Sequence, residues 1–225
     1  SAAKPKLTTP SGAVVKEEIG EGESPEQVFI RHSPPAEDLS LLTSAASAVA
    51  NLSEIVLHAA EDSIFFCKHF FSKTFRQDSP DFHRQMWRLL DDPSKRYINL
   101  QVMRDGAKTT LLRAYTAKRI AYGLSRTILY IGASEKKALA SVRWIKKQVE
   151  YNRAWTSTFG LKPGKPWSDG ELRIEHATEG YSIWVLGMGI SGSVRGINLD
   201  DYRPDLIVID DVVGDDNSAT DEQRH

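Results

Sequence analysis

The sequence predicts a three-layer α/β fold with a mostly parallel central sheet, preceded by a helical segment. Three observations carry that expectation. Beyond Pro93, β-rich runs alternate with stretches of helical period. The run "DLIVID", residues 205–210, has no polar face, as in strands covered on both sides. Residues 97–123 read as strand, loop and helix in that order.

The elements follow along the chain. Residues 1–38 are rich in Pro, Gly, Ser and Glu without an apolar period, and read as a flexible tail. Residues 39–93 form a helical segment. Leu41, Leu42, Ala45, Val49, Leu52, Val56 and Leu57 recur at three-to-four spacing, which predicts one helix or two short ones. Phe65, Phe66, Phe70, Phe71 and Phe75 share one broad helical stripe, broken at Ser79-Pro80. "DFHRQMWRLL" follows as a helix with Asp81 placed to cap it. Residues 94–225 then form the core. "RYINLQVM" is a short strand, "KTTLLRAYTAKRIAYG" a helix closing on Gly123, and "RTILYIGA" a buried strand. "SEKKALASVRWIKKQVEYNRAW" is one long amphipathic helix with Ala138, Val142, Ile145 and Val149 on its apolar stripe. "ELRIEHA" and "YSIWVLGMG" pair antiparallel around Glu179-Gly180, and "DLIVIDD" sits at the centre of the sheet. There is no internal repeat.

With 225 residues the chain holds one large domain, or one domain with appendages. No run approaches the roughly 20 apolar residues of a membrane span, and no signal-peptide core opens the chain. The single cysteine, Cys67, excludes an internal disulfide and argues against structural zinc, so a reducing, cytoplasmic setting fits. The net charge of −1 gives no overall attraction for nucleic acid, but the charge is segregated. Residues 104–153 hold twelve Lys/Arg against three Asp/Glu, whereas 200–222 hold nine acids and one arginine. Such segregation marks a basic face for polyanions opposite an acidic metal or partner site, or simply solvated helix faces. Within it, Lys136–Arg153 is a candidate for contact with DNA phosphate, which carries no sequence information.

The stretch "VMRDGAKTT", 102–110, sits between the strand and the helix of residues 97–123. A phosphate-cradling loop is normally spelled G-x-x-x-x-G-K-[ST], the Walker A pattern. Lys108 and Thr109 supply its end, while Val102 and Ala107 stand in the two glycine positions and Gly106 comes one residue early. Position outweighs spelling, because such a loop works by leaving a strand and entering a helix N-terminus. There, backbone N–H groups and the helix dipole meet the phosphates. Arg104, Asp105, Gly106, Ala107, Lys108, Thr109 and Thr110 are the candidate nucleotide-binding residues. Lys108 contacts the β/γ-phosphates and the Thr109 hydroxyl holds Mg²⁺. Downstream, the apolar run ends in Asp210 and Asp211, the Walker B pattern. Two acids there are costly unless they meet a cation or a rich hydrogen-bond set. Asp210 is the candidate metal-shell residue beside Thr109, and Asp211 polarises the attacking water. An acidic turn opening "DDVVGDDN" is the plainer alternative.

Taken together, "DFHRQMWRLL", "MRDGAKTT", "RTILYIGASEKKA" and "GSVRGINLDDYRPDLIVIDDVV" make residues 65–224 resemble the ATPase domain of the tailed-bacteriophage large terminase subunit. That family is the viral motor that packages double-stranded DNA into a procapsid. The resemblance implies an ASCE-type P-loop NTPase that hydrolyses ATP with Mg²⁺. It further implies partnership with portal protein, procapsid and small terminase subunit, a homo-oligomeric ring when assembled, and residence in the host cytoplasm without a membrane. Terminases are similar in opening the phosphate loop with an arginine and in accepting Gly or Ala before the lysine. By resemblance, Arg104 acts on the γ-phosphate and Asp211 stands where many terminases have a catalytic glutamate. Aspartate is one methylene shorter, so Glu222 is the alternative base. Arg195 in "GSVRG" matches an arginine finger delivered to a neighbouring subunit, on a loop that Gly187, Gly189, Gly192 and Gly196 make mobile. The family also implies a nuclease domain beyond the residues present here. Two rivals stay open: a helicase-like P-loop ATPase, and a nucleotide-dependent module that grips DNA or a partner and hydrolyses slowly. Phe82, His83 and Trp87 either lie against adenine or pack as core.

Overall fold

In the computed structural model, residues 36–103, 105–190 and 203–211 are described, with side chains from residue 44 onward. The chain divides between Ala50 and Asn51 into two units. The first helix, α1 (Ala36–Glu61), covers the predicted three-to-four pattern in one piece. Among the described residues no helix is long and apolar enough to cross a membrane.

Asp62 ends α1 and starts α2 (Ser63–Phe70) by accepting the Ile64 and Phe65 amides at 2.8 and 3.0 Å. Phe66 lies 5.3–6.4 Å, centroid to centroid, from Phe70, Phe71, Tyr122 and Phe159, so these rings form core. The helix stops at Phe70, however, leaving Phe71 and Phe75 of the expected stripe beyond it and Phe65 and Phe75 only half-buried. Helix α3 (Asp81–Leu90) buries Met86, Trp87 and Leu90. Pro80, rather than Asp81, takes its cap position, and Asp81 becomes the first helical residue. Helix α4 (Lys108–Ala121) is buried along most of its length.

The sheet contains β1 (Thr127–Gly132), β2 (Leu161–Trp167), β3 (Glu171–His176), β4 (Tyr181–Gly189) and β5 (Leu206–Asp210). Its order is β2-β3-β4-β1-β5. β1 is paired in parallel with both β4 and β5, while β2, β3 and β4 run antiparallel. The fold is therefore α/β with a small mixed sheet, parallel at β4-β1-β5 and antiparallel on the far side. Between β1 and β2 run α5 (Glu135–Tyr151) and α6 (Arg153–Phe159). These replace the single long helix expected, because Asn152 ends one helix and caps the next through the Trp155 amide.

Two strand expectations are corrected. Residues 96–103 form no strand: the segment is irregular and has no ladder partner among the described residues. Among the described residues "DLIVID" is not central but an edge strand, with Ile207 and Ile209 48% and 57% exposed. Gly187 and Gly189 also move from a presumed mobile loop into β4, opposite Tyr130 and Gly132. A Cβ at Gly132 would come within 2.8 Å of the Ala138 amide nitrogen, and one at Gly189 within 2.8 Å of the Glu135 nitrogen. These glycines let the N-terminus of α5 close onto the strand ends.

Candidate functional site

The carboxyl ends of β1 and β5 lie side by side, with Gly132 in register with Asp210. Ligands in open α/β sheets bind outside such strand ends. The loop before α4 turns at Gly106, whose amide donates to the Met103 carbonyl at 3.1 Å. A Cβ on Gly106 would run into the Val102 side chain and lie 3.0 Å from the Met103 oxygen. Glycine is therefore required at this position, which accounts for its displacement by one residue from the usual spelling.

Asp105 and Ala107 adopt left-handed backbone, with φ of 64° and 56°. Ala107 is the N-cap of α4 and contributes no side-chain cap. A non-glycine residue in this region costs about 1–2 kcal/mol, and such strain clusters at functional sites. The result is a helix whose first amides lack a side-chain cap and whose dipole favours an anion. His83 on α3 reaches the same loop: its Nε2–H donates to the Gly106 carbonyl at 3.1 Å.

Lys108 is the first residue of α4, where the dipole disfavours a cation. Its ammonium lies 3.8 Å from Asp210 Oδ1, an ion pair too long for a hydrogen bond. Thr109 Oγ1 donates to Asp210 Oδ2 at 2.6 Å. Asp210 is 8% exposed, and its Oδ1 is buried without a hydrogen-bond partner. Among the described residues the Lys108 ammonium, 3.8 Å from this oxygen, offsets its charge without supplying a hydrogen bond. A hydroxyl and a carboxylate form an all-oxygen donor set suited to Mg²⁺, which takes one or two carboxylates and draws its remaining ligands from water and phosphate. No cluster of three or more His, Cys, Asp or Glu is present among the described residues, so no all-protein cage competes with that arrangement.

Asp211 turns out of the strand with φ of 54°. Its Oδ2 accepts from the Lys137 ammonium at 3.0 Å. A cleft of about 240 Å³ opens between these groups, lined by Thr109, Arg113, Tyr130, Lys137, Asp210 and Asp211 among others. Tyr130 is fully buried, which pushes its phenol pKa up, and it shares a 3.1 Å hydrogen bond with Thr116. It is a neutral wall of the cleft. Arg113 is steadied by Ser141 at 3.0 Å.

The structure thus gathers Lys108, Thr109, Asp210 and Asp211 at one place, with Asp105, Gly106 and Ala107 forming the loop and Thr110 following on α4. Arg104, Arg195 and Glu222 lie outside the described residues. Trp87 is core, 4% exposed and facing Tyr115. On the basic helix, Lys146 and Arg143 both pair with Asp169, so part of that face is already neutralised. Sequence reasoning missed two contacts, His83 to the loop and Lys137 to Asp211. The second carried a signal: Lys137, like Lys108, sits in the first turn of a helix, against the dipole.

No family model, no curated protein and no solved structure matches the chain.

Proposed function

We propose that the chain is the P-loop ATPase of a DNA-packaging motor of the large-terminase type, coupling ATP hydrolysis to translocation of double-stranded DNA. The observation that carries this reading is the convergence of Lys108, Thr109 and a buried, partly unpartnered Asp210 beside an uncapped helix N-terminus. Cation, hydroxyl, carboxylate and free amides are the four parts a Mg²⁺–triphosphate site requires. The α4 amides receive phosphate oxygens, Lys108 neutralises the β/γ-phosphates, and Thr109 and Asp210 hold the metal. The bound Mg²⁺ supplies positive charge to the triphosphate. Asp211 orients the attacking water and accepts its proton. Arg104 and Arg195 complete the charge stabilisation, the latter across a ring interface. Small terminase subunit, portal protein and procapsid are the partners in the host cytoplasm.

The test is nucleotide affinity and turnover in parallel. Lys108→Ala is expected to lose affinity and turnover together, whereas Asp211→Ala keeps affinity and loses at least about a hundredfold in kcat. Wild-type protein that binds no ATP in Mg²⁺ would end this reading. One observation favours a second reading: Asp211 is an aspartate, one methylene shorter than the glutamate of many terminases, which suits a slow switch that grips DNA while ATP is bound. Steady-state turnover in the presence of DNA separates the two.

A further inference from the structure

We propose that Lys137 is a positioning residue for Asp211, holding its carboxylate on the α5 side of the cleft, apart from the Asp210–Thr109 pair. The inference rests on the nucleotide reading of the site.

Four observations support it. The Lys137 ammonium lies 3.0 Å from Asp211 Oδ2. The two consecutive acids therefore have different partners, Asp210 on α4 and Asp211 on α5. Asp211 adopts left-handed backbone as the chain leaves β5, a conformation that an L-residue takes at a cost. Lys137 stands on a fixed platform. Ser134 caps α5 through the Lys137 amide, and Gly132 and Gly189 admit the helix N-terminus against the strand ends.

Stability does not account for the pair. The two side chains are 52% and 60% exposed, and exposed pairs contribute little to folding. A lysine in the first turn of a helix is unfavourable by itself. What the pair does achieve is geometric. It separates the acid that meets the metal from the acid that meets water, which in sequence are neighbours.

The experiment measures ATP affinity, KM and kcat on the full chain for Lys137→Met, Lys137→Arg, Asp211→Asn and the double variant Lys137→Met/Asp211→Asn. Lys137→Met is expected to lower kcat by about tenfold or more, with affinity and thermal midpoint close to wild type. Lys137→Arg is expected to recover most of the loss, because it restores a donor to the same carboxylate. In the Asp211→Asn background, removing Lys137 is expected to change kcat less than twofold, since the two act as a unit. Unchanged kcat in Lys137→Met, or losses that multiply in the double variant, overturns the inference. Affinity falling in step with kcat also overturns it and assigns Lys137 to the phosphates instead. If Lys108→Ala is inactive while Lys137→Met is silent, the positioning role alone fails. If the wild-type chain binds no ATP, both readings fail.

Discussion

Helix α4 carries a Lys–Asp–hydroxyl trio at each end, and the two are built differently. Near its C-terminus, Lys118 donates to Ser63 at 2.5 Å and to Asp91 at 3.2 Å, and Ser63 in turn donates to Asp91. At its N-terminus, Lys108 stands 3.8 Å from Asp210, Thr109 bonds one carboxylate oxygen, and the other has no hydrogen-bond partner. The first trio is closed. Lys118 is 5% exposed, its charge suits the helix C-terminus, and it ties α2 and the end of α3 to α4. The second is open, with its lysine at the end the dipole disfavours. About 15 Å of helix separates a trio whose members all bond one another from one whose carboxylate keeps an oxygen without a hydrogen bond. Identical chemistry takes either role according to whether every polar atom already has a partner.

The largest expected effect comes from breaking the closed trio. Asp91→Ala leaves Lys118 buried without its counter-charge and is expected to cost about 3 kcal/mol in urea unfolding. A loss below about 1 kcal/mol would remove the lock from the account. The corresponding change at the open end, Lys108→Met, is expected to alter stability by less than about 1 kcal/mol, since that pair is loosely made. The contrast between the two lysines in one denaturation series is the sharpest check on the comparison. Ala107→Gly relieves a left-handed alanine and is expected to raise stability by about 0.5–1 kcal/mol. A lowered melting temperature would mean that Ala107 carries no strain.

Cys67, 1% exposed beside the closed trio, has its thiol pKa pushed up by burial. It is expected to react with a thiol reagent only as fast as the core opens, and rapid labelling of native protein would show that this end is loose. The smallest effect belongs to Asp169, whose carboxyl is held below the usual range, first by the hydrogen bond from Lys146. A depressed carboxyl adds stability that is present above its ordinary value of 3.8 and lost as pH falls through the folded one. Lys146→Met is therefore expected to differ slightly from wild type at pH 7, with the gap closing only in strong acid.

The parts of the fold legible in the sequence are those where one local signal decides. β1 reads as buried because all six residues are apolar or small, and it is buried throughout. The amphipathic stripe Ala138, Val142, Ile145, Val149 is the buried face of α5. β2 was missed because Pro163, Gly164 and Pro166 break the pattern, and such residues are tolerated where a strand lies at a sheet edge. The position of β5 was misjudged for a different reason. An apolar run reports potential burial, whereas which neighbours arrive is a property of the whole sheet. At the site, Lys108, Thr109 and Asp210 were legible from type and order. The His83 and Lys137 contacts were not, because neither residue belongs to a motif whose spacing marks a partner.

The outer strand has one more consequence. Ile207 and Ile209 project from the same face of β5, with an unshared row of backbone donors and acceptors alongside among the described residues. An open, apolar rim of this kind recruits other extended chains, and concentrated protein is expected to associate through it. The paired acids that close the strand oppose one mode of that association. A second copy stacked in parallel register would bring four carboxylates together, so the same two acids act as gatekeepers against fibrous self-assembly.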